Sequence, residues 1–92
     1  MGITSLRQEI NEIDDQVLSM LNKRANIALK IGQLKRETQL PVFHEDREKQ
    51  ILERLCAANR GPLEDDHILK IFTGIIKACR ELQNEQKKSD DI

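Results

Sequence analysis

A chain of 92 residues with 15 Lys and Arg against 16 Asp and Glu carries a formal net charge of −1. That length holds one domain with a marginal core, and so balanced a charge provides no overall field to gather nucleic acid. With 38% apolar residues, two Phe and neither Trp nor Tyr, the composition disfavours aromatic-rich strands, and no apolar run reaches the length of a signal-peptide core or a membrane span; the expectation is an all-α, cytoplasmic domain that binds neither nucleic acid nor membrane.

A first helix is predicted from about residue 5 to 37, its start marked by Ser5 and Gln8 in capping-box spacing. Leu6, Ile10, Ile13, Val17, Met20, Ile27, Ile31 and Leu34 recur in steps that keep to one helical face. Between Met20 and Ile27 the rhythm breaks, and Arg24 stands where an apolar residue is due. Burying an unpaired guanidinium costs several kcal/mol, on the order of any buried charge without a partner, so the misplacement points to a ligand. Eleven residues at about 100° each bring Lys35 to within roughly 20° of Arg24, about 16 Å further along the axis. The row Arg24, Ala28, Ile31, Lys35 therefore reads as a pocket wall with a cation at each end; the bland alternative is a solvated basic edge. Arg7 lies about 100° round from Arg24 and roughly 25 Å away, out of reach of its own helix's pocket but within reach of another copy's.

Length argues for that other copy. A compact domain of this size has a radius of gyration near 12 Å and a diameter of roughly 30 Å, whereas about 32 helical residues extend roughly 48 Å. One end must project with its apolar stripe exposed, and a symmetric partner is the simplest cover.

Gly32 interrupts this helix late, at up to about 1 kcal/mol against Ala, which points to close packing or a nearby ligand. The helix must end before Pro41, and Val42 and Phe43 are expected to anchor the connection. A second helix is predicted over about 45–59, with Glu45, Asp46 and Glu48 at its positive end, Ile51, Leu52, Leu55 and Cys56 on its apolar face, and Arg47 at the inner edge of that face. Gly61 and Pro62 mark its stop. A third helix is predicted over about 64–86 on Ile68, Leu69, Phe72, Ile75, Ile76, Cys79 and Leu82, with Gln83 continuing the row of Phe72, Ile76 and Cys79 as a neutral amide. The polar tail, 87–92, is expected to be disordered. Cys56 and Cys79, without clustered His, form neither a disulfide framework nor a zinc-ligand pattern.

Taken together, the segments Leu6-Arg7-Gln8-Glu9-Ile10, Arg24, Gly32-Gln33-Leu34-Lys35, Pro41-Val42 followed by Asp46-Arg47-Glu48, and Ile75-Ile76 followed by Gln83 resemble the AroQ-class chorismate mutases, the all-helical type. The likeness runs in order, without gaps, over nearly the whole chain. It implies three helices per chain, one long and two shorter, in an intertwined homodimer, and a concerted rearrangement of chorismate to prephenate in the synthesis of phenylalanine and tyrosine, with no cofactor or metal. The catalytic and binding residues it implies are Arg24, Lys35, Arg47, Glu48 and Gln83 of one chain with Arg7 of the partner. His44 stands where an aspartate is common, near the substrate hydroxyl, and Cys79 where a serine is common, near a carboxylate. An association with another enzyme of the aromatic pathway fits the same picture. Two alternatives stay open on sequence: an isochorismate pyruvate lyase-like activity, and a non-catalytic dimeric regulatory domain that binds a dicarboxylate.

Overall fold

A computed structural model of the chain describes residues 2–90, with side chains for residues 2–86. Three helices follow one another, α1 (Ile3–Glu37), α2 (Glu45–Ala58) and α3 (Asp65–Asp90), and no strand occurs among the described residues. The chain is all α.

Helix α1 starts ahead of the predicted capping box. Gly2 is its N-cap, in extended conformation and without a side-chain cap bond, while the Leu6 amide donates to the Gly2 carbonyl at 3.3 Å. Glycine is tolerated at an N-cap and water can serve the remaining amides, so Ser5 and Gln8 lie within the helix. At the other end, the amides of Gln39 and Leu40 donate to the carbonyls of Arg36 and Lys35 at 3.2 and 2.7 Å, the crossed pair of a Schellman ending. Such an ending needs a left-handed residue just past the helix, and Gln39 supplies it at φ 60°. Because glycine normally fills that place, the sequence does not announce this turn.

Helices α2 and α3 both begin on a histidine bond. His44 is the N-cap of α2 and its Nδ1 accepts from the Arg47 amide at 2.9 Å. Ahead of α3, the Glu64 amide donates to His67 Nδ1 at 3.0 Å, a capping-box return bond made by an imidazole in place of Glu or Gln. Between them, Asn59 accepts from the Gly61 amide at 3.1 Å and donates to the Leu63 carbonyl at 2.6 Å. The backbone of α3 runs on to Asp90, through part of the tail expected to be disordered from residue 87; Glu, Gln and Lys, which dominate 85–88, are among the better helix formers. Asp91 and Ile92, which the same expectation covered, lie outside the described residues.

Helix α3 packs against both α1 and α2, which do not pack against each other. What is buried lies mainly along that spine: Ala28 on α1, and Ile68, Ile76, Cys79 and Gln83 on α3. Among the described residues, no side chain is fully enclosed. At 35 residues α1 is about 52 Å long, the molecule measures 54 × 29 × 15 Å, and Leu6, Ile10, Ile13, Val17 and Met20 stand between 48% and 61% exposed along the half of α1 that α3 does not cover.

Candidate active site

Where the C-terminal half of α1, the first turns of α2 and the second half of α3 converge, a cleft of about 280 Å³ opens. It is near the lower end of small-molecule pockets, roughly 300 Å³. Helix α1 lines it with the row Arg24, Ala28, Ile31 and Lys35; the start of α2 brings His44, Arg47 and Glu48; α3 brings Ile76, Cys79, Arg80 and Gln83. Every expected site residue except Arg7 is therefore at one cleft. Arg7 is exposed on the projecting part of α1, about 25 Å along the helix from Arg24.

Gln83 is the buried polar group of this cleft, 8% exposed. Its Nε2 donates to the Ala28 carbonyl at 2.6 Å, which fixes the amide with its nitrogen toward α1 and leaves a second N–H for a ligand. Room for that seat comes from Gly32, where a β-carbon would lie 3.1 Å from Gln83 Cγ. The glycine that looks like a propensity error thus leaves room for a close side-chain neighbour.

The cations rest on neutral acceptors. Arg24 Nη1 donates to Cys79 Sγ at 3.2 Å, Lys35 Nζ to the Val42 carbonyl at 3.1 Å, and Arg47 Nη1 to Gln50 Oε1 at 2.9 Å. Of the two residues expected to anchor this loop, Val42 meets Lys35 through its backbone, while Phe43 is 52% exposed. Glu48, half-buried, is ion-paired with Arg80, and the Arg80 guanidinium lies 4.9 Å from the centre of the Phe43 ring, within cation–π range. Arg80 was not singled out in the sequence. The signal was present, since it stands four residues after Ile76 and three before Gln83, beside the buried row of α3, but a charged residue at the edge of a helix stripe is ordinarily a solvated one.

Among the described residues of the cleft, no thiol or hydroxyl is paired with a base. Cys79 Sγ faces a guanidinium, and His44 Nδ1 is occupied by a backbone amide. Outside the cleft, burial and the nearby Asp65 carboxylate push the Cys56 thiol up, away from the reactive thiolate. What the cleft offers is fixed positive charge and one oriented amide, an arrangement for gripping a small dianion.

A family model described as chorismate mutase type II matches residues 6–84. The chain belongs to this family. The match takes in every cleft residue from Arg24 to Gln83, and Arg7 as well. Among solved chorismate mutases, the chain is similar to form II of the Thermus thermophilus protein, at 36% identity and a TM-score of 0.89 over 91% of this chain and 96% of that one. It is likewise similar to the Helicobacter pylori chorismate mutase solved in complex with prephenate, at 32% identity and a TM-score of 0.87 over 94% of this chain and 93% of that one. The bifunctional chorismate mutase/prephenate dehydratase of Aquifex aeolicus is 34% identical over 89 residues, 92% of this chain but 25% of that protein. The chain thus spans about a quarter of the length of such bifunctional relatives, and it is the type II chorismate mutase portion that they share with it.

Proposed function

We propose that the chain catalyses the rearrangement of chorismate to prephenate. The observation that carries this is the cleft's inventory: Arg24, Lys35 and Arg47 set around a buried, oriented Gln83 amide, with no nucleophile–base pair among the described lining residues. In this reaction one carbon–oxygen bond breaks as one carbon–carbon bond forms, and no proton is transferred. Catalysis then reduces to holding a folded dicarboxylate in its reactive conformer and stabilising the charge that grows on the ether oxygen.

The side chains take roles by their chemistry. Arg24 binds one carboxylate and Arg47 the other, because planar guanidinium groups match carboxylates in bidentate fashion. Lys35 and the free N–H of Gln83 donate to the ether oxygen, an interaction that strengthens as the bond breaks. Glu48 accepts from the substrate hydroxyl. His44 shapes that side of the cleft by starting α2, and Cys79 backs Arg24, its weakly accepting sulfur easily exchanged for a substrate carboxylate.

The active form is a homodimer in which the partner's copy of Arg7 joins Arg24 on its carboxylate. The apolar stripe left bare on α1 supports this, as does the position of Arg7 on that same projecting segment. Since relatives are fused to a prephenate dehydratase, association with an enzyme that consumes prephenate belongs to the same proposal. The test is to incubate the purified chain with chorismate, with no metal or cofactor added, and follow both chorismate loss and prephenate formation; chorismate left unchanged would overturn it, and release of pyruvate from isochorismate instead would replace it with a lyase.

A further inference from the structure

Four cationic side chains and one carboxylate line the cleft, Arg24, Lys35, Arg47 and Arg80 against Glu48. Their pairing is selective. Three of the cations are held by uncharged acceptors, a thiol sulfur, a backbone carbonyl and a side-chain amide oxygen. Only Arg80 is bonded to the carboxylate, and its guanidinium also lies over the Phe43 ring. Arg80 thus ties three parts of the fold together: α3, the first turn of α2, and the connection that precedes it.

We propose that Arg80 is a positioning residue that occupies Glu48 so that Lys35 and Arg47 stay free for the substrate. Glu48 shares the cleft with both of those cations, and a carboxylate without its own partner would take one of them, since charge-assisted hydrogen bonds are about twice as strong as neutral ones. A dianionic substrate would then have to displace a carboxylate from the very donors it needs. With Arg80 on Glu48 Oε2, the substrate displaces only neutral acceptors, and Glu48 Oε1 stays available to a hydroxyl. Arg80 acts through Glu48 and not on the reacting atoms.

This inference rests on the mutase activity proposed above, and steady-state kinetics with chorismate on the full chain can separate the two. Arg80→Met keeps the apolar stem of the side chain and removes its charge. It is expected to raise KM roughly tenfold, the scale of a lost charged hydrogen bond, while kcat falls by less than about threefold. In a Glu48→Gln background, where no carboxylate is left to capture Lys35 or Arg47, the same substitution is expected to add nothing further to KM. Arg80→Lys restores most of the affinity, and Arg80→Gln behaves as Arg80→Met does, so the comparison survives if the Met variant misfolds. An equal rise in KM in both backgrounds would mark Arg80 as merely structural and overturn the inference, as would an unchanged KM in the single variants. A wild-type chain that leaves chorismate unconverted overturns both proposals, whereas an active wild type indifferent to Arg80 overturns this one alone.

Discussion

Gln83 reaches the cleft opposite Gly32, and the two residues are best considered as a pair. A methyl group at position 32 would meet Gln83 Cγ at 3.1 Å, so Gly32→Ala should push the amide off the Ala28 carbonyl and out of register with the ether oxygen. Because alanine also favours the helix by up to about 1 kcal/mol, turnover should fall roughly tenfold or more with little change in the thermal midpoint. A parallel loss of both, measured by kinetics and calorimetry, would mean that the contact serves stability alone. Lys35→Ala and Gln83→Ala each remove a donor to the developing charge and should lower kcat about a hundred- to a thousandfold; if both kept wild-type turnover in a stopped assay of prephenate, the assigned roles would be wrong. Gln83 was visible in the sequence as a polar group continuing an apolar row, and Lys35 by its register with Arg24. Arg80 was not, because its significance comes from Glu48 and Phe43, which meet it only across the packed helices.

Among the elements, the helices themselves followed from the apolar periodicity, and the apolar face expected of α2 is the one that turns inward, with Ile51, Leu52, Leu55 and Cys56 half-buried. Their ends did not follow so simply. The Ser5–Gln8 box is bypassed in favour of Gly2, His44 and His67 make the capping bonds that carboxylates or hydroxyls usually make, and Gln39 closes α1 in a glycine's conformation. Each of these depends on a local backbone geometry that more than one side chain can serve, and composition does not name which. The last makes a prediction: a non-glycine residue in the left-handed region is strained by about 1 kcal/mol, so Gln39→Gly should stabilise the folded chain by up to about that amount in urea unfolding. A destabilised variant would show that the unfolded state's added freedom outweighs the relieved strain.

As a whole, the molecule is more extended than a compact chain of its length. Its radius of gyration is 16.5 Å where roughly 12 Å is expected of a compact chain this long. Its accessible surface is 7661 Å², about 2,000 Å² above what a compact monomer of this mass shows. An excess of that size fits the homodimer proposed above. The proposed dimer with Arg7 shared across it yields a complementation test: Arg7→Ala and Lys35→Ala chains, each nearly inactive alone, should regain about a quarter of wild-type activity when randomly mixed as dimers, since half of the dimers would carry one intact site of two. Mixtures as inactive as their components would show that Arg7 is not shared across the dimer, and an Arg7→Ala chain fully active alone would show that it plays no part.

By itself the sequence determined the three helices, the one long enough to outrun its globule, and the polar residues that break the apolar rows. Those properties are periodic and local, so they can be counted along the chain. The tertiary structure alone decided which neighbour each polar group would meet: the Ala28 carbonyl under the Gln83 amide, the thiol of Cys79 under Arg24, and the Arg80 guanidinium on Glu48. Such pairings join residues tens of positions apart, and their geometry exists only once α3 has packed against both of the helices that precede it.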